Sequence, residues 1–142
     1  MSRFSFILLS FASLFIISCQ DNKSDVLHKE IMTIHDEIMP KTGEISYLYL
    51  AFRKKLETDS SISMAQRQEL SAQADDLEKA EEEMMVWMND YIIPQTLRDT
   101  KNSEEIISYL QDQKIVISKI KEHTEASLEK AKKLKKDLSI NE

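Results

Sequence analysis

Residues 27–56 read LHKEIMTIHDEIMPKTGEISYLYLAFRKKL, and the spacing in this stretch decides the fold. Ile31, Ile38, Ile45 and Phe52 recur every seven residues. Leu27, Ile34 and Leu48 form a second row at the same period, with Lys41 and Lys55 in its remaining slots. Two rows offset by three or four residues make one apolar stripe along a helix. The stripe keeps its phase across Pro40 and Gly43, so it predicts one long helix over about 24–57. Pro40 removes a backbone donor and disfavours helix at Met39, so a bend is expected there. Such a helix, apolar on one side only, is not stable alone in water and needs partner helices over its stripe.

The rest of the chain supplies two. Thr58 to Ser63 is a polar connector rich in capping residues, and Ser63 with Gln66 fits a capping box opening a helix over about 63–91. Leu70, Leu77, Met84 and Tyr91 form one row of that helix, Ala80 and Trp87 a second. Glu78 and Glu81 to Glu83 are expected on its solvated face. Pro94 ends the pattern. A third helix is expected over about 103–138, capped by Asn102 or Ser103, with Glu104 and Glu105 where the helix dipole favours acid. Its rows are Leu110, Ile117, Ala131, Leu138 and Ile106, Ile120, Leu134, with Thr124 and Ser127 as small or polar residues at core positions. The prediction is an all-α, up-down-up antiparallel three-helix bundle with coiled-coil-like heptads. A longer coiled coil built from several chains is the alternative, so a homo-oligomer is an open possibility.

Composition agrees with this reading. One glycine and two prolines in 142 residues are too few for a turn-rich β architecture. A formal charge of −6 argues against a nucleic-acid partner. The basic run Lys130, Lys132, Lys133, Lys135, Lys136 is expected as a solvated helix end that complements the C-terminal dipole.

The first nineteen residues are a different text. Arg3 is a short basic region, Phe4 to Ile17 is strongly apolar, and the run ends in Ile16-Ile17-Ser18-Cys19. This is too short to span a bilayer comfortably but suits a signal peptide. It resembles the lipobox of bacterial lipoproteins, with Ile16 where leucine is usual. The resemblance implies a signal peptide over 1–18 and a lipid-modified Cys19, palmitate being one of the acyl chains expected, followed by a tether over 19–24 and the bundle over 25–142. Two or three acyl chains anchor durably where one does not. Ser24 or Asp25 is the expected cap of the first helix.

One constellation carries possible chemistry. His28, Met32, His35 and Met39 line one side of the first helix beside its core stripe. If the first two helices run antiparallel about 59–61, Met84, Met85 and Met88 come level with them. Thioether and imidazole ligands suit copper(I), and methionine with histidine is also a haem axial pair. Methionine is equally a common filler of helical cores. His123 is expected elsewhere, level with Tyr49 and Leu70. No Glu-x-x-His pair, His-Glu-x-x-His motif or glycine-rich phosphate loop is present, so an enzyme is not expected.

Three blocks together also resemble a known family: His35-Asp36-Glu37-Ile38-Met39-Pro40, Met84-Met85-Val86-Trp87-Met88, and Tyr109-Leu110-Gln111-Asp112-Gln113-Lys114 with Ile117 and Lys121 following. They are similar to small lipoproteins of Bacteroidota labelled "viral A-type inclusion protein", a label that reflects generic coiled-coil similarity. The resemblance implies a helical outer-membrane lipoprotein facing the periplasm or the surface, and it transfers no catalytic residue. The expected function is therefore a non-enzymatic structural or protein-interaction role at the membrane, with an envelope protein as partner and no cofactor. The alternative is a copper-handling protein using the His/Met cluster.

Overall fold

The computed structural model describes the backbone of residues 14–140 and the side chains of residues 23–140. The signal peptide expected over 1–18 lies largely outside the described residues, and the Cys19 side chain lies outside them altogether. Among the described residues every regular element is helical. We number them α1 (Leu14–Ile38), α2 (Thr42–Thr58), α3 (Met64–Asp90), α4 (Pro94–Leu97) and α5 (Ser103–Asp137), with a 3-10 turn, Met39–Lys41, between α1 and α2. The expectation of an all-helical chain is met.

Two boundaries differ from expectation. α1 continues through Ser24 and Asp25, so neither is an N-cap. No proline or glycine lies between Leu14 and Met39, so nothing in that stretch forces a helix to stop or start. The connector after α3 is also not a plain loop. Ile93 precedes Pro94, which opens α4 as a first-turn proline, where its missing N–H costs no helical bond.

The chain divides into two compact units. The first comprises Met1–Thr33 with Ile92–Ile115. In its described part, Ile31, Leu97, Ile106, Ile107 and Leu110 are buried. Arg98 holds the connector against α1, with its guanidinium 2.8 Å from Asp25 Oδ1 and 3.4 Å from the buried Ser24 hydroxyl. The Ile92 N–H donates to the Tyr109 hydroxyl at 2.7 Å. Asn102 caps α5: its Oδ1 accepts from the N–H groups of Glu104 and Glu105, while Glu105 Oε2 accepts from the Asn102 N–H. That reciprocal arrangement satisfies donors the helix itself cannot. Lys114 and Glu30 pair at 2.9 Å.

The second unit comprises Ile34–Tyr91 with Val116–Glu142. At its start Pro40 breaks the α pattern, and the Thr42 hydroxyl donates to Met39 O at 2.8 Å across the 3-10 turn. The apolar row nevertheless stays in phase, for Ile38, Ile45 and Phe52 are all buried. α2 and α3 form an antiparallel hairpin. In its turn, Asp59 accepts from the Ser61 N–H and hydroxyl and pairs with Lys55. The Lys55 ammonium, then the Ser61 bonds, hold the Asp59 carboxyl well below the usual carboxylate range. Arg67 donates to Leu56 O and Asp59 O, covering carbonyls left open at the end of α2. Ser63 and Gln66 form the capping box of α3. The core joins Ile45, Leu48 and Phe52 of α2, Leu70, Ala74 and Leu77 of α3, and Leu128, Ala131 and Leu134 of α5.

Ion pairs report how α5 lies along α2. Lys41 pairs with Glu125, Glu44 with Lys132 at 2.9 Å, and Lys135 donates to the Tyr47 hydroxyl at 2.8 Å. Numbers rise together, so the two helices run in the same direction. Glu37 with Lys121 repeats the separation of 84 residues seen in Lys41 with Glu125.

The last turn of α5 ends in a Schellman arrangement. The Ile140 N–H reaches back to Lys135 O at 3.0 Å, and the Ser139 N–H to Lys136 O at 3.1 Å. Ser139 sits at φ 49°, the left-handed region that helix ends commonly use. Ile140 folds back into the core of this unit.

Candidate functional site

A polar layer crosses the second unit between α3 and α5. Asp76 and Glu83, seven residues apart, share one face of α3. His123 and Ser127, four apart, share one face of α5. The His123 ring lies between the two carboxylates, Nδ1 at 2.7 Å from Glu83 Oε2 and Nε2 at 3.1 Å from Asp76 Oδ1. The Ser127 hydroxyl donates to Asp76 Oδ2 at 2.8 Å. Gln73 Nε2 donates to Ser127 O at 3.2 Å and to its Oγ at 3.3 Å. Thr124, fully buried beside them, has a hydroxyl with no hydrogen-bond partner.

Both ring nitrogens of His123 face acceptors, so only the doubly protonated imidazolium satisfies both. The Glu83 hydrogen bond, opposed by burial and helped by Asp76, raises the His123 pKa above its ordinary value. For Asp76, burial is the largest single influence and pushes upward. The bonds from His123 and Ser127, with the charges of His123 and Lys130, outweigh it and leave the carboxyl below its ordinary value.

This arrangement clamps two helices and holds the imidazole toward its protonated form. It is not laid out as a nucleophile with its base. Ser127 is fully buried and gives its proton to Asp76, not to His123. The two carboxylates occupy different edges of the imidazole. Among the described residues no group of three or more His, Cys, Asp or Glu side chains is disposed to hold a metal ion.

Glu81 to Glu83, expected on a solvated face, do not all stay there. Glu83 binds His123, and Glu81 Oε1 accepts from the Ser46 hydroxyl at 2.9 Å. His123 is also displaced from its expected level. Lys41 pairs with Glu125, which sets His123 about level with Met39, some ten residues from Tyr49.

The His/Met residues are divided. His28 and Met32 are half-buried in the first unit. In the second, Met39 is half-buried and the His35 side chain is 15% exposed. His35 Nδ1 lies 2.9 Å from Asp36 Oδ1, with its ring 5.9 Å from Trp87, which stacks on Tyr91 at 4.9 Å. Met84 is turned into the core, whereas Met85 and Met88 are exposed. α3 therefore does not aim its three methionines at one point.

Sequence reasoning left out the polar layer. The pairs Asp76 with Glu83 and His123 with Ser127 were each legible as one helix face, but their meeting depends on the register of α5 against α3. Among the described residues no helix is long and apolar enough to cross a membrane. No family model, curated protein or solved structure matches the chain.

Proposed function

We propose that this chain is a lipid-anchored protein of the cell envelope, non-enzymatic, held by acyl chains on Cys19 and presenting an up-down-up three-helix bundle to a protein partner. The observation that carries the reading is the order Arg3, apolar Phe4–Ile17, Ser18-Cys19. The likeness of the His35–Pro40, Met84–Met88 and Tyr109–Lys114 blocks to small Bacteroidota lipoproteins points the same way, to the outer membrane. Within the second unit, the antiparallel α2–α3 hairpin and the parallel run of α2 with α5 support the bundle topology. Charge supports a tether over a surface-bound body. Removing Arg3 with the leader takes the net charge from −6 to −7, which an anionic lipid surface repels.

The test is to express the full chain with labelled palmitate in a Gram-negative host that processes lipoproteins. Label should enter the protein, and the mass of the amino-terminal peptide should correspond to a diacylated or triacylated Cys19. Cys19→Ser should take up no label and stay at precursor length. Labelling that survives Cys19→Ser, or a mature form cut elsewhere, would end this reading.

A further inference from the structure

We propose that the second unit carries a groove for a free long-chain fatty acid, its tail lying on Tyr47, Leu50 and Ile140 and its carboxylate among the surrounding lysines. One wall is the outer face of α2, and the other is the turn at Ser139 and Ile140 that follows α5. Together they bound a cleft of about 460 Å³. A second cleft of about 540 Å³ adjoins it, sharing Tyr47, Ser139 and Ile140. Both lie within the range of about 300–1,000 Å³ usual for small-molecule sites. Leu50 is 63% exposed and Tyr47 41%, so a substantial apolar surface lies open here.

The rim sets the ligand's charge. In a chain of net charge −6, Lys54 and Lys55 line the first cleft and Lys132, Lys135 and Lys136 the second, against one acid among the described lining residues, Glu44. Lys55 is engaged by Asp59 and Lys132 by Glu44. Lys135 meets the Tyr47 hydroxyl, and its ammonium lies 4.7 Å from that ring's centroid. Among the described residues, Lys54 and Lys136 have no acidic partner. Positive charge is therefore left over on both sides of the apolar floor, which complements one anionic head beside one apolar tail. A peptide fits less well. The floor is a helix face whose backbone groups are already bonded within α2, so a peptide's N–H and C=O groups would find few partners. The exposed Tyr47 and Leu50 on that face, with Ile140 on the facing wall, match a single alkyl chain.

The test is a calorimetric titration with laurate below its micelle threshold. The full chain is produced with Cys19→Ser, so that no acyl chain of its own competes; the groove does not depend on acylation of Cys19. Saturable one-to-one binding is expected. Leu50→Glu should weaken it at least tenfold, as should Lys54→Gln combined with Lys136→Gln, and the thermal midpoint of Leu50→Glu should be unchanged because that side chain is exposed. Leu50→Ala, which adds no charge, should weaken binding in the same direction. Dodecyltrimethylammonium, the same tail with a cationic head, should bind at least tenfold more weakly than laurate. Equal binding of the two amphiphiles, full binding by Leu50→Glu, or association only with phosphatidylglycerol vesicles would overturn the proposal.

Discussion

At the residue scale, His123 is a side chain whose charge state is tied to folding. Its pKa is raised in the folded chain, so the folded state holds its proton more tightly than the unfolded one. The stability it contributes is fully present below the unfolded value near 6.5 and is lost as pH rises through the folded value. Asp76 works in the opposite sense, since its lowered pKa gives stability above about 3.8 that is lost as pH falls through the folded value. The layer is therefore most favourable between the ordinary carboxylate and imidazole values. Urea unfolding from pH 5 to pH 9 should show stability declining on the alkaline side, and His123→Gln should flatten that decline. An equal slope in the variant would place the titrating group elsewhere. The neighbouring Thr124 gives a second expectation. Its buried hydroxyl lacks a partner, and leaving such a group unbonded costs about 1–3 kcal/mol. Thr124→Val keeps the shape and removes the hydroxyl, so chemical unfolding should show a gain of about 1 kcal/mol. A loss of that size would mean that the hydroxyl is bonded in solution.

At the element scale, helix ends were mostly legible and helix register was not. The Ser63-x-x-Gln66 capping box and the Pro40 interruption depend on residues next to one another in the chain, and spacing alone exposed both. The Schellman end of α5 was missed because it uses Ser139 where glycine is the usual residue, so the commonest signal was absent. A non-glycine residue in the left-handed region costs about 1–2 kcal/mol. Ser139→Gly should therefore raise the thermal midpoint, with a gain near 1 kcal/mol after allowing for the looser unfolded chain. Ser139→Val should lower the midpoint. If both variants lower it, the Ser139 side chain contributes more than its backbone strain costs. Register was harder because it is fixed by tertiary contacts. The pairing of Lys132 with Glu44 reports that register, and nothing near Lys132 in sequence announces its partner.

At the scale of the whole molecule, the apolar rows of the three expected helices carried the helical class and most of the core. Ile31, Ile38, Ile45, Phe52, Leu70, Leu77, Leu110 and Ile117 stand in those rows, and each is buried. The candidate sites fared differently. The His/Met constellation was inferred from one helix face, yet burial separates Met84 from Met85 and Met88. The polar layer and the lysine-rimmed groove each need residues forty or more positions apart, brought together only by packing. Spacing along one helix reveals a face, and chemistry in this chain is built where two faces meet.

The way the chain closes at Ile140 bears on how the protein is best handled. Ile140 is core, groove wall and helix stop together, so a purification handle fused close behind it would crowd the feature under study. If Cys19 is acylated as proposed, a fusion ahead of it would interfere with recognition and removal of the leader. The exposed stretch Asp99–Lys101 lies between α4 and α5, and its side chains carry no core packing. A short epitope inserted there would leave Ile140 and its packing in place. Detection and pull-down could then be done without disturbing the proposed anchor or the proposed groove.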